Sequence, residues 1–182
     1  MTQFPPAVLG MAEIHEAIAA TRPDQECLIF RDKRFTWADV TDRTRRLANF
    51  LASQGLGCRT ERASLANWES GQDHLAIYLH NGNEYLEAML GAWKARVAPF
   101  NVNYRYVAEE LRYLLTDSRA TAIVLHSRFT PLLAEIRDSL PDLRVILQVP
   151  DSSDEPLMPG AVWYEDALAR SSAAVSYTHL RA

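Results

Sequence analysis

Cysteine is nearly absent: Cys27 and Cys58 are the only two in 182 residues. They have no metal-type spacing, and two thiols make no disulfide framework, so a reducing cytoplasm is the expected compartment. Long apolar runs are missing too. No stretch approaches the roughly 20 residues that cross a bilayer. The opening, MTQFPPAVLGMAEIHEAIAA, lacks a basic segment and meets Glu13 and Glu16 early, so no signal peptide is expected there. Positive charge is not in excess either. Nineteen Lys and Arg stand against 23 Asp and Glu, a net charge of −4. Neither nucleic acid nor an anionic membrane is therefore expected as a partner, because both attract basic surfaces. The one tight basic cluster is Arg43, Arg45 and Arg46. It is expected on a solvated helix face, since Asp39/Arg43 and Asp42/Arg46 stand four residues apart.

Recognisable catalytic motifs are also lacking. Gly55-Leu56-Gly57 resembles the start of a dinucleotide fingerprint, but position 60 is Thr and the glycines follow a helical pattern rather than a strand. The failure weakens a nucleotide-dependent oxidoreductase. No Ser sits in a nucleophile elbow, and no His has an evident acid partner in sequence.

What is there is a chain of ordinary globular composition, 48% hydrophobic and 23% charged. It is long enough for one domain with a core, or for a piece of something larger. Residues 11–20 read as a short amphipathic helix with Met11, Ile14 and Ile18 on one face. ECLIF and RDKRFTW suggest a hairpin turning at Asp32-Lys33. Thr36-x-x-Asp39 forms a capping box for a helix that carries Trp37, Val40, Thr44, Leu47 and Leu51 on one side and ends at Gly55. Residues 57–73 show no period and read as a polar connector.

From residue 74 an α/β rhythm sets in. HLAIYL is a strand buried on both faces. Asn81, with Glu84, is the expected cap of a helix whose apolar stripe is Tyr85, Leu86, Met89, Leu90 and Trp93. VAPF is a short strand. A helix with Val107, Leu111, Leu114 and Leu115 follows, and then the strand TAIVL. Thr130-Pro131 is read as the cap and first position of a helix carrying Leu132, Leu133, Ile136 and Leu140. LRVILQV is the last clear strand, PDSSDEPLMPG a loop, and WYEDALAR one more helix. Strands separated by helices of this length pair in parallel. The fold class is therefore α/β, an incomplete Rossmann-like parallel sheet with flanking helices.

In such sheets ligands bind beyond the carboxyl ends of the strands. Three pairs end strands: His80 with Asn81, Asn101 with Asn103, and His126 with Ser127. They are the candidate rim of a cleft, with helix caps and loop polarity as the competing reading. No residue is assigned a catalytic or metal-ligating role.

The stretch GAWKARVAPFNVNYRYVAEELRYLLTDSRATAIV resembles a core segment of the adenylate-forming enzymes, specifically the acyl-CoA synthetases (AMP-dependent synthetases and ligases). A helix of small and apolar residues ends in a basic turn at Gly91–Lys94. A short strand ends in Pro and Asn at Val97–Asn101, and a helix begins near Glu109–Leu111. RFTWADV at 34–40 is similar to the family's first motif, and YLHNGNEYLEAMLGAWKA to its strand-to-helix segment. The resemblance spans residues 11–149 in order.

It implies the N-terminal part of an ATP-dependent acyl-CoA synthetase. Such an enzyme joins a carboxylic or fatty acid to AMP and then to CoA, with ATP, Mg2+ and CoA as cofactors. The family's Ser/Thr/Gly-rich phosphate loop, its ribose-binding acid and its mobile C-terminal lysine have no counterpart in residues 1–182, so this stretch alone is expected to be inactive and to hold none of the three cofactors. Residues 1–174 are expected to be a partial N-terminal domain, and 175–182, VSYTHLRA, a non-native or disordered tail. The alternative is a stand-alone, non-catalytic α/β binding or regulatory module.

Overall fold

The computed structural model describes residues 10–174. In chain order the elements are α1 (Met11–Thr21), β1 (Glu26–Phe30), β2 (Lys33–Thr36), α2 (Trp37–Ser53), β3 (His74–Tyr78), α3 (Asn83–Lys94) and β4 (Ala98–Asn101). These are followed by α4 (Ala108–Asp117), β5 (Ala120–His126), α5 (Thr130–Ile136), β6 (Val145–Val149), β7 (Val162–Trp163) and α6 (Tyr164–Ala169). β1 and β2 form an antiparallel hairpin. The other five strands make one wholly parallel sheet in the order β4-β3-β5-β6-β7.

Strand alternation sorts the core into two halves, because successive side chains of a strand point to opposite faces. Leu75 and Ile77 of β3, Ala122 and Val124 of β5, and Val145, Leu147 and Val149 of β6 face α2, α3 and α6. Ala76, Tyr78, Ile123, Leu125 and Ile146 face α4 and α5. With both faces covered, the strands read as continuous apolar runs, as parallel sheets do.

The capping box forms as the sequence predicts. Asp39 N–H donates to Thr36 Oγ1 at 3.1 Å, and Thr36 N–H donates to Asp39 Oδ2 at 2.8 Å. Gly55, at φ 72°, takes the left-handed conformation that ends α2.

Several boundaries and faces differ from expectation. The hairpin turns at Arg31-Asp32, because Phe30 pairs with Lys33, and Arg31 adopts φ 56°. Helix α3 starts one residue after Gly82, not at an Asn81 cap. Gly82 leaves room for the Glu84 carboxylate, whose Oε2 would lie 2.8 Å from any Cβ at that position. Thr130 is the first residue of α5 rather than its cap, and its hydroxyl donates to Ser127 O at 2.8 Å. Val107 caps α4 and is exposed. The two-residue β7 is too short to leave a sequence pattern.

Two helices bury faces that the periodicity did not choose. Helix α1 buries Ala12, His15 and Ala19 and leaves Met11 and Ile14 exposed. Helix α3 buries Asn83, Glu87, Ala88, Leu90, Gly91, Ala92 and Lys94, while Trp93 is only half-buried and Tyr85 and Met89 lie at the margin of the core. The reason is close packing against α2. A Cβ on Gly91 would meet Leu47 Cδ2 at 2.6 Å, so small residues sit at the contact and large ones are displaced beside it.

The Arg43/Arg45/Arg46 cluster is not a solvated face. Arg43 grips Glu87 of α3 and Glu165 of α6. Arg45 bonds Glu16 of α1, and Arg46 holds Asp42 and the Ser171 carbonyl. These arginines tie three helices to α2.

Candidate functional site

The chain runs from β3 outward to β4 and then crosses back to place β5 on the other side of β3. At that switch point the loops leaving β3 and β5 diverge, which opens a crevice at their carboxyl ends. The crevice is present as a cleft of about 330 Å³. It is lined by the tip of the β1–β2 hairpin and by the residues that follow β3, β5 and β6.

His80, Asn81 and His126 all line it, so the structure brings together the rim residues expected after β3 and β5. Asn101 and Asn103 do not line it. Asn103 Oδ1 accepts from Arg105 N–H at 3.0 Å and closes a turn, and Asn101 is the exposed last residue of β4. Ser127 is buried beneath, where its hydroxyl accepts from Gln148 Nε2 at 2.9 Å.

The two histidines are coupled. His80 N–H donates to His126 Nδ1 at 3.0 Å, so in the neutral ring the proton of His126 lies on Nε2. Burial holds the His126 pKa below its ordinary value; the neighbouring Asp151 opposes this and His80 reinforces it. The His80 ring packs edge-on against Tyr104 and Phe129, with centroids 4.9 and 5.2 Å away.

Charge around the cleft is balanced: Arg31, Lys33 and Arg128 against Asp32, Glu84 and Asp151. Two of the cations are engaged. Lys33 lies 3.5 Å from Glu84 and 3.3 Å from Asn83 Oδ1, and Arg128 Nε bonds Asp151 at 2.8 Å. The arrangement presents hydrogen-bond donors of mixed character without a strong field of either sign. Among the described residues no group of three or more His, Cys, Asp or Glu is placed to hold a metal ion, and no helix is long and apolar enough to cross a membrane.

Sequence reasoning missed the polar residues that build the walls. Gln148, fully buried in β6, donates from Nε2 to Ser127 Oγ and Pro156 O and accepts from Met158 N–H, each at 2.8–2.9 Å. It pins the loop after β6 to the sheet. On α3 the polar residues Asn83, Glu87 and Lys94 recur at four and seven with Gly91 between, which places them on one helical stripe. That spacing was the available signal.

The family model described as "AMP-binding enzyme" matches residues 15–178. The medium-chain acyl-CoA ligase Mig of Mycobacterium avium is 56% identical over 160 residues, which is 88% of this chain and 29% of that protein. A 3-oxocholest-4-en-26-oate–CoA ligase of Rhodococcus rhodochrous is 32% identical over 165 residues, 90% of this chain and 27% of that one. Among solved structures, the anthranilate CoA ligase AuaEII in complex with anthranoyl-AMP superposes with TM-score 0.76 at 19% identity, over 93% of this chain and 29% of that one. The N-terminal domain of FACL13 from Mycobacterium tuberculosis gives 0.72 at 18% identity, over 92% of this chain and 37% of that one. At such identities the superpositions establish the shared fold.

Proposed function

The chain belongs to the AMP-binding enzyme family, and from that premise we propose that it forms the N-terminal part of a cytoplasmic, ATP-dependent acyl-CoA ligase. The observation that carries the reading is the 56% identity to an acyl-CoA ligase over most of the chain, although that match spans only 29% of the ligase's length. The whole enzyme would join a carboxylic acid to AMP with release of pyrophosphate, and CoA would then displace AMP to give the thioester. A medium-chain fatty acid is the proposed substrate class, after the name of that relative.

The role of this stretch is that of a scaffold. Adenylation needs donors and a cation gathered around a triphosphate. The cleft supplies equal numbers of acids and bases, with Lys33 and Arg128 engaged by Glu84 and Asp151. Its residues do not fit a triphosphate, and this supports placing ATP and Mg2+ on other parts of the enzyme. The contribution of residues 10–174 is a rigid parallel sheet whose carboxyl edge carries His80, Asn81 and His126.

The test supplies the whole enzyme with ATP, Mg2+, CoA and a series of straight-chain fatty acids, and products are identified by mass spectrometry. The expected outcome is a CoA thioester formed in step with AMP, with medium-length acids preferred. Carboxylate-independent ATP hydrolysis, or ADP in place of AMP, would remove the proposal.

A further inference from the structure

The connector between α2 and β3 brings a serine onto a histidine at the edge of the sheet opposite the cleft. Ser70 Oγ lies 2.7 Å from His74 Nε2, and the other ring nitrogen, Nδ1, bonds the main-chain carbonyl of Ser118. A carbonyl oxygen can only accept, so Nδ1 carries the ring proton. In the neutral ring Nε2 is then a bare lone pair, and the Ser70 hydroxyl is the donor. Nucleophile, base and orienting group stand in series, the relation that activates serine on unrelated folds. Here a main-chain carbonyl takes the place of the orienting carboxylate.

Local structure fixes both partners. His74 opens β3, where it is paired with Ala98 and Ala120, and its carbonyl accepts from Thr121 Oγ1 at 3.1 Å. Ser70 is set by the turn at Gly71, whose carbonyl accepts from the N–H groups of Arg59 and Thr60 at 2.6 and 3.0 Å. A Cβ on Gly71 would fall 2.0 Å from Thr60 O, so only glycine lets the two segments approach this closely. The pair opens on a cavity of about 420 Å³ that Arg119, Thr121 and Asp142 also line. Arg119 brings a cation to that lining, where a negative charge developing on a bound ester would be met.

We propose that Ser70 and His74 form a hydrolytic centre that accepts the acyl group of small activated esters. Ser70 Oγ attacks the ester carbonyl carbon while His74 Nε2 takes the hydroxyl proton. Collapse of the tetrahedral intermediate breaks the bond from the carbonyl carbon to the leaving oxygen, which receives that proton, and acyl-Ser70 remains. Water, losing a proton to the same nitrogen, attacks the acyl carbon and frees the carboxylic acid, and the proton returns to Ser70 Oγ. Arg119 stabilises the oxyanion in both halves. The centre is independent of the ligase reading.

Diisopropyl fluorophosphate probes the first half. Serine oxygen bonds phosphorus, and fluoride leaves with the hydroxyl proton passed to His74. The full chain is incubated with the probe and the labelled residue is located by peptide mass spectrometry. The expected result is an adduct at Ser70 that is absent in Ser70→Ala and forms about 10²-fold more slowly in His74→Gln, the scale of a lost general base. Absence of an adduct at Ser70 in the wild-type chain overturns the proposal, as does an undiminished rate in a folded His74→Gln. If circular dichroism shows that variant unfolded, the wild-type chain decides: labelling of Ser70 no faster than that of the exposed Ser64 overturns the proposal.

Discussion

Glu87→Leu is expected to destabilise the domain by about 3–5 kcal/mol, the range for breaking a buried charge pair by removing one partner. Glu87 is fully buried. Its two oxygens accept from Arg43 Nε and Nη2 at 2.8 and 2.9 Å, from Asn83 Nδ2 at 2.9 Å and from the Tyr164 hydroxyl at 3.0 Å. Leucine in its place leaves an Arg43 guanidinium that is mostly withdrawn from water, and a fully buried phenol with no acceptor. Burial, together with Glu87, raises the Tyr164 pKa well above the ordinary phenol value, so that hydroxyl stays a donor and its loss of a partner is felt. Glu165 bonds the same arginine at 2.6 Å but is 57% exposed, so Glu165→Ala should cost less than about 1 kcal/mol. Urea denaturation of the two variants checks the contrast. Equal losses would mean that burial does not decide the strength of these pairs.

Acidification should weaken the fold through His15. This residue is 6% exposed, and neither ring nitrogen has a hydrogen-bond partner. It packs on Trp37 with centroids 5.4 Å apart. The charged groups that face it are Lys94 of α3, Glu16 of its own helix and Arg45 of α2. Burial and Lys94 lower its pKa from 6.5 to about 4, with Glu16 opposing. A histidine whose folded pKa is depressed favours the unfolded chain as pH falls, because only the unfolded imidazole is free to take a proton. The stability it contributes is complete above pH 6.5 and is lost on the way down to pH 4.

Between about pH 7.5 and pH 5 the loss from His15 is roughly 2 kcal/mol by linkage. Glu16, held below its ordinary pKa by Arg45 and Lys94 against the effect of burial, adds to the loss at still lower pH. Stability measured by urea denaturation across this range should fall steeply in the wild-type chain and more gently in His15→Leu, with His126 supplying the remainder. Identical slopes in the two proteins would contradict the assignment.

Both effects come from residues that the sequence pattern hid, and the reason is physical. Apolar periodicity identifies the face a helix would bury if hydrophobicity alone chose. In α3 the contact with α2 is set instead by close approach at Gly91, and Asn83, Glu87 and Lys94 enter the core because partners await them: Arg43 and Tyr164 for Glu87, Glu16 and Thr44 for Lys94. Helix α1 behaves alike, burying His15 while Met11 and Ile14 face outward.

The strands were legible because β3, β5 and β6 are apolar on both faces, and the capping box at Thr36 was legible because it is local. The cleft was half legible. Strand ends pointed to His80, Asn81 and His126, which line the cleft, and equally to Asn101 and Asn103, which do not, since sequence does not say on which side of a sheet a loop opens. The pairing of Ser70 with His74 was invisible because it depends on how an irregular connector returns to the sheet. The expectation for residues 175–182 lies outside the described residues.

The proposal that this stretch is scaffold for adenylation performed by the rest of the enzyme is tested most directly by isotope exchange between pyrophosphate and ATP in the presence of Mg2+ and a medium-chain fatty acid. It is measured side by side on the whole enzyme and on residues 1–182. The account predicts carboxylate-dependent exchange by the whole enzyme and none by the 182-residue chain, because a triphosphate finds no surplus of donors in the cleft. Exchange catalysed by the isolated chain would contradict it and would place the adenylation site within residues 1–182.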